Sequence, residues 1–308
     1  MFDMRVLVTG SSGFIAGCLA QRLLLEGHEV VGYDLRPSAL REQVVGDITD
    51  PEAFHGAVGG CEAVYHFAAA ADLNWCSAHP NDAVKANIEG TRVIAEECSL
   101  RGIPLIFAST CCVYGNTPEH PSGEESVCSP TDIYAATKLA AEEGIKGYSR
   151  NRGLSYRILR LGTTYGPGLR PTLAIYLFIQ QALEGKQLTI HGSGEQTRCM
   201  IYIDDLIEAL TRVLDMPHGH HIKGDTINIA TEEELSVLQM ARTILELTGK
   251  PPDSYIHIDD RLGQIMRENI DISKARKRLD WEPQVPFREG VARTIGWVEG
   301  ELQGRLRL

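Results

Sequence analysis

Thr9-Gly10-Ser11-Ser12-Gly13-Phe14-Ile15-Ala16 lies between an apolar, β-branched run, Arg5–Val8, and a segment, Phe14–Glu26, whose apolar residues Ile15, Cys18, Leu19 and Leu23 recur at helical spacing. Strand, glycine turn and helix in that order decide the fold. The turn reads GxxGxxA, with Ala16 in the third small position, where glycine is commoner. Gly10 permits the tight turn, and Gly13 lets the backbone approach a pyrophosphate at the positive N-terminus of the helix. Ala16 still allows close helix–strand packing, and Phe14 and Ile15 open the helix beside the phosphates. A glycine turn by itself is a weak signal. Between a strand and a helix it reads as a dinucleotide site.

Outward from that turn, the next strand-like run, Glu29–Tyr33, leads into Asp34, 24 residues after Gly10. A carboxylate there accepts hydrogen bonds from the adenosine ribose hydroxyls and repels a 2′-phosphate, which favours NAD over NADP. Arg36 stands close by, as an arginine that accommodates a 2′-phosphate would. Asp47 and Ile48 follow Gly46 after a third short strand, Gln43–Val45, with Asp47 placed to meet the adenine amino group or simply to close a turn.

Strand-like runs at Ala63–Phe67, Leu105–Ala108 and Tyr156–Leu161 alternate with helical patterns at Asn87–Leu100 and Tyr134–Arg150. Such alternation implies a doubly wound, Rossmann-type parallel sheet covered by helices on both faces. The character changes after Gly166-Pro167-Gly168. A helix at Leu173–Leu183, a strand at Leu188–His191 and further strands at Thr226–Ile229 and Tyr255–Ile258 suggest a smaller C-terminal α/β lobe. The expected division is a dinucleotide-binding domain over 1–165, to which 203–231 returns, and a substrate lobe from 166–202 and 232–308. The active site is expected in the cleft between them.

The net charge of −11, from 41 acids and 30 bases, excludes a general affinity for nucleic acid or anionic membrane. Anionic ligands must be held locally, by a few arginines and backbone amides. No apolar run approaches the roughly 20 residues of a membrane span, and Met4–Thr9 runs straight into the glycine turn without a signal peptide. The eight scattered cysteines have neither a CxxC pair nor a zinc spacing, so a cytoplasmic protein with free thiols and no metal is expected. His218, His220 and His221, among Pro217, Gly219 and Gly224, read as a polar surface loop.

Tyr134-Ala135-Ala136-Thr137-Lys138 opens a helical stretch and puts Tyr134 and Lys138 one turn apart on one face. A phenol of pKa about 10 is a poor base at neutral pH. A neighbouring ammonium and a cationic nicotinamide favour the phenolate, which can then take a hydroxyl proton while a hydride leaves the same carbon.

TGSSGFIA, GDI, HFAA, Asn87 in KANIEGT, STCCVYG, YAATK, RLGTTYGPG, GSGEQTR, YIDD and DISKARKRLDWEP occur here in the order seen in nucleotide-sugar epimerases and dehydratases. Over nearly its whole length the chain resembles that family, the extended short-chain dehydrogenase/reductases. The resemblance implies a tightly held NAD that oxidises a sugar C4 hydroxyl. Tyr134 would be the base, Lys138 its tuner and ribose ligand, and Thr110 the partner of the reacting hydroxyl. Phe67, Ala68, Ala69 and Asn87 would line the cofactor. Arg198 and Arg267 match arginines that grip the nucleotide and its diphosphate, a task suited to fork-like donors. A homodimer joined through the helices near 87–100 and 134–151 is also implied.

Departures from the family pattern narrow the reaction. Dehydratases of this kind carry an Asp-Glu pair where this chain has Cys111 and Cys112, and related decarboxylases carry a glutamate at the place of Cys112. Cys112 also matches a cysteine that acts beside the ketone in 3,5-epimerases, but Leu173 stands about where its His or Lys partner belongs. Two small thiols lining a pocket are the plainer reading. Thr163 replaces an asparagine that touches the substrate diphosphate, and Gly162 is expected to leave room near the nicotinamide. The expectation is an NAD-dependent 4-epimerase of a nucleotide sugar, of the UDP-hexose type. A 4,6-dehydratase, a cysteine-assisted 3,5-epimerase and a non-catalytic NAD-binding sensor or scaffold are the alternatives.

Overall fold

The computed structural model describes residues 3–216, 224–261 and 263–305. The histidines 218, 220 and 221 lie outside the described residues. The first half runs β1 (Arg5–Thr9), α1 (Phe14–Leu25), β2 (Glu29–Asp34), β3 (Glu42–Val45), α2 (Pro51–Ala57), β4 (Ala63–His66), α3 (Leu73–Ala78), α4 (Pro80–Val84), α5 (Gly90–Arg101), β5 (Leu105–Thr110), α6 (Ile133–Arg152) and β6 (Tyr156–Leu161). Then come β7 (Thr163–Tyr165), α7 (Ala174–Leu183), β8 (Leu188–His191), β9 (Thr197–Tyr202), α8 (Ile203–Leu214), β10 (Asp225–Ile229), β11 (Glu234–Ser236), α9 (Val237–Leu247), β12 (Tyr255–Ile258), α10 (Ser273–Leu279) and α11 (Phe287–Arg305).

Seven strands form one sheet in the order β10-β6-β5-β4-β1-β2-β3, every neighbouring pair parallel. Parallel strands need crossovers, and helices supply most of them, so the central strands are covered on both faces. β4 and β5 are buried along their whole lengths. This is the doubly wound architecture expected from the alternation. The order reverses between β1 and β4, which puts the phosphate turn after β1 at the switch point. β10 comes back from late in the chain to cover the outer edge of β6, from Asp225 opposite Arg157 to Ile229 opposite Leu161. A three-stranded sheet β11-β9-β7 and the parallel pair β12-β8 lie beside it.

The helix expected from Asn87 begins earlier and is not uniform. Pro80 starts α4, and Lys85–Glu89 forms a π-helical turn before α5. Such turns admit one extra residue and re-aim a side chain. Here the side chain is Asn87, turned inward and 1% exposed. Its Oδ1 accepts from the Ala70 N–H at 2.8 Å, and its Nδ2 donates to the Ala70 carbonyl at 3.0 Å and to Thr137 Oγ1 at 2.9 Å.

Candidate active site

The phosphate turn is built for a close anionic guest. Gly10 has φ +73°, and a Cβ there would stand 2.8 Å from the Ala68 nitrogen. Gly13 caps α1 with no side-chain hydrogen bond, which leaves the first amides of the helix pointing outward. Ser11 Oγ is buried without a hydrogen-bond partner in the protein. At the end of β2 the Asp34 carboxylate accepts from the Ser12 N–H and the Arg36 N–H, each at 3.0 Å, and so joins the turn to the ribose position. The residues present therefore fit a dinucleotide. Asp47 is engaged locally, since its Oδ1 accepts from both the N–H and the hydroxyl of Thr49 at 2.9 Å. Ile48 is buried, and its Cδ1 fills the space that a Cβ on Gly90 would occupy.

Beneath the cradle runs a buried polar chain that the sequence reading did not single out. Thr9 Oγ1 accepts from the Phe67 and Ala68 N–H groups at 3.1 Å and meets His66 Nδ1 at 2.8 Å. His66 Nε2 meets Thr91 Oγ1 at 3.0 Å, and Thr91 donates to the Asn87 carbonyl at 2.7 Å. Burial, reinforced by the charge of Lys138, holds the His66 pKa well below its ordinary value, so the ring is a neutral relay of hydrogen bonds. Thr9 immediately before Gly10 was the legible signal for this chain.

Tyr134, Lys138 and Thr110 converge at the C-terminal end of the sheet. Asp132 caps α6 through the Ala135 N–H at 2.8 Å and thereby sets where the Tyr134 turn begins. The Tyr134 phenol faces Thr110, which lowers its pKa, and the Thr110 Oγ1 accepts from the Cys112 N–H at 3.2 Å. Burial pushes the phenol upward, and Arg170 and the Thr110 contact oppose that shift. Lys138 is 2% exposed, with its ammonium 4.1 Å from the centre of the Phe107 ring. Burial pulls its pKa down to about 7, against the attraction of Glu142 one turn further on. Glu142 is fully buried in a 2.8 Å ion pair with Arg160.

The two thiols are kept neutral. Burial and the nearby Glu268 carboxylate raise Cys112 to about 12, the reverse of what a catalytic thiolate needs. Cys111 is buried with its Sγ 3.3 Å from the Arg160 carbonyl, so it packs inward rather than lining an open pocket. Glu268 is itself buried behind them and accepts from the Cys199 N–H at 3.1 Å.

The remaining candidates scatter. Thr163 is half-buried at the start of β7. Gly162 leaves no free room: a Cβ there would come within 2.9 Å of the Ala230 side chain and 3.1 Å of the Cys199 carbonyl, so the expected extra space is already filled by packing. Arg198 on β9 donates to the Thr197 and Ile265 carbonyls at 2.6 and 2.8 Å. Arg267 is exposed and makes a two-point pair with Glu234 at 2.9 and 3.0 Å, which holds that carboxyl down at about 2. In this arrangement its guanidinium is engaged by Glu234. Phe14 reaches the other way, and its ring lies 3.2 Å from where a Cβ on Gly168 would be.

Comparison with known proteins agrees with this geometry. An uncharacterized UDP-glucose epimerase, YtcB, of Bacillus subtilis (strain 168) is 31% identical over 98% of this chain and all of that protein. A dTDP-glucose 4,6-dehydratase of Streptomyces niveus is also 31% identical, over 96% of this chain and 92% of that one. The structure of UDP-glucuronic acid 4-epimerase from Bacillus cereus, in complex with UDP-glucuronic acid and NAD, superposes with a TM-score of 0.90. It is 30% identical and covers 97% of this chain and 100% of its own. Residues 6–230 match the sequence model of the NAD dependent epimerase/dehydratase family. With the phosphate turn, the ribose carboxylate and the tyrosine–lysine helix placed on one Rossmann sheet, the chain belongs to that family of NAD-dependent nucleotide-sugar enzymes.

Proposed function

We propose that the protein is a nucleotide-sugar 4-epimerase, acting on a UDP-linked hexose through a transient 4-keto sugar. The observation that carries this reading is that two thiols, Cys111 packed against the Arg160 carbonyl and Cys112 beside Thr110, follow Thr110 where a carboxyl pair would be needed for dehydration. Expulsion of a C6 hydroxyl needs a carboxyl group to remove the C5 proton and another acid to protonate the leaving oxygen. At those two positions stand Cys111, raised well above its ordinary value, and Cys112 at about 12. A 4-epimerase needs only the machinery at C4.

Thr110 orients the C4 hydroxyl, and Tyr134 takes its proton. NAD, held by the turn at Gly10 and Gly13 and by Asp34, would supply the acceptor for the C4 hydride and the means of returning it to the opposite face of the ketone. Lys138, with a pKa of about 7, contributes positive charge beside the phenol and favours the phenolate at the moment of transfer. Gly10, Gly13, Asp34, Asp47, Ile48, Phe67, Ala68, Ala69 and Asn87 form the cofactor cradle in this reading. Arg198 and Arg267 stand toward the nucleotide, Arg267 exchanging Glu234 for phosphate. The division into an NAD-binding domain and a substrate lobe, a homodimer through α5 and α6, and a cytoplasmic setting belong to the same proposal. None of the helices among the described residues is long and apolar enough to cross a membrane.

The test is proton NMR of the purified protein with UDP-, dTDP- and GDP-sugars in heavy water, without added cofactor. A C4 epimer free of deuterium at C3 and C5 is expected. Deuterium at C5 with loss of the C6 hydroxyl, or deuterium at C3 and C5, would replace this reading with the dehydratase or the 3,5-epimerase.

A further inference from the structure

Tyr134, Lys138 and Glu142 follow one another at four-residue steps along one face of α6. An ammonium and a carboxylate one helical turn apart ordinarily pair. Among the described residues, however, no carboxylate closes an ion pair with Lys138. Its ammonium faces the Phe107 ring, 4.1 Å from the ring centre. Glu142, fully buried, is turned to the strands instead. Its Oε1 accepts from Ser109 Oγ and from Arg160 Nε at 3.1 Å, and its Oε2 accepts from Arg160 Nη2 at 2.8 Å. Ser109 and Arg160 are opposite one another on β5 and β6, so the register of the sheet aims both at one carboxylate. Arg160 is held in turn. Its Nη1 donates to the Tyr114 hydroxyl at 3.0 Å and to the Glu124 carbonyl at 3.1 Å, and the Tyr114 hydroxyl donates to Asn228 Oδ1 on β10 at 2.7 Å. Lys146, one turn beyond Glu142, reaches it at 3.9 Å but stands closer to Glu143, at 2.8 Å.

A buried ion pair is a poor source of stability, because desolvation offsets most of the attraction. Its geometry has a more specific effect here. Two-point pairing with a guanidinium fixes the plane of the carboxylate and leaves the ammonium one turn back no share in it. A carboxylate swung back by that turn would draw Lys138 away from the phenol and from the cofactor. We propose that Arg160 is a positioning residue: together with Ser109 it holds the Glu142 carboxylate against the sheet and so keeps it from capturing Lys138. Lys138 stands at about 7, where the charge of Glu142 opposes burial without offsetting it, in agreement with a carboxylate held at a distance. The proposal rests on Lys138 as the ligand of the nicotinamide ribose. It does not depend on which reaction the sugar undergoes.

The test is the Kd of the full chain for NAD, by equilibrium dialysis without sugar, for wild type, Arg160→Met, Arg160→Lys and Arg160→Met combined with Glu142→Gln. Each is measured with and without Lys138→Met, and urea midpoints at saturating NAD separate loss of fold from loss of affinity. Arg160→Met should weaken NAD about tenfold, the scale of one charge-assisted hydrogen bond. Arg160→Lys should stay close to wild type, and adding Glu142→Gln to Arg160→Met should restore the affinity. With Lys138→Met in place, Arg160→Met should leave the Kd unmoved, because no ammonium remains to be captured. A Kd unmoved by Arg160→Met alone, or a loss equally large in the Lys138→Met background, overturns the proposal. If Arg160→Met does not fold, Ser109→Ala decides, since it removes one of the donors to Oε1. A weaker affinity that Lys138→Met abolishes supports the proposal, and an unchanged one removes it. Wild-type affinity in Lys138→Met alone would take away the ribose contact and the proposal with it, while the NMR experiment with sugars judges the epimerase reading separately.

Discussion

At the scale of single residues, the chemistry depends on groups moved off their ordinary ionisation. Lys138 stands near 7 in the folded chain against 10.5 when exposed, because burial disfavours its charge more than Glu142 favours it. Between those values the unfolded chain holds more protons than the folded one, so this residue's contribution to stability rises with pH. Lys138→Met should therefore flatten the pH dependence of the NAD-free protein between about pH 7 and 10, measured as the wild-type minus variant difference in urea midpoint. A difference that stays constant across that range would place the ammonium in a wetter site. Tyr134 and Lys138 could be proposed from their spacing of one helical turn, and Thr110 from the resemblance of STCCVYG to the family's motif. The pairing of Arg267 with Glu234 could not be read, because it joins residues 33 apart that meet only where the 266–268 segment bonds to Thr197 on β9, the strand that β11 pairs with.

At the scale of elements, the phosphate turn is the most tightly specified segment. Gly10 combines a left-handed backbone with a neighbouring amide at 2.8 Å, so Gly10→Ala meets both a conformational penalty and a clash. That substitution should cost about 1–3 kcal/mol and strip NAD from the purified protein, checked by absorbance of the acid-released cofactor and by urea midpoint. Retention of a full complement of NAD would show that the β4–α3 connection yields without loss. The β1-turn-α1 unit was legible because its glycines and periodicity agree at every position. The π-turn at Lys85–Glu89 was not, since the sequence there has ordinary helical spacing. The inward pull on Asn87 comes from Ala70 and Thr137, neither of them near it in sequence. Short strands such as β7 and β11, of three residues each, carry too few side chains to show an alternation.

At the scale of the whole molecule, residues distant in sequence are tied together by a few buried polar groups. Asp205 on α8, 6% exposed, accepts from the Gln284 and Val285 N–H groups at 3.0 and 2.9 Å, and its carbonyl takes the Trp281 indole N–H at 3.1 Å. Asp205→Ala leaves two amides unpaired and should cost about 2–4 kcal/mol, read from urea unfolding with NAD content as a second measure. A loss below about 0.5 kcal/mol would mean that water replaces the carboxylate. The parallel sheet was visible in the alternation of strands and helices. The register was not visible, because it depends on which face each helix buries. The return of β10 from late in the chain also gives the molecule an order of assembly. During synthesis β6 leaves the ribosome with its outer edge open and stays so until the chain reaches β10, an interval on the order of ten seconds at usual rates of elongation. For that time the nascent protein offers an unpaired strand to any neighbour. Residues 225–229 close that edge when they arrive, Asp225 opposite Arg157 and Ile229 opposite Leu161.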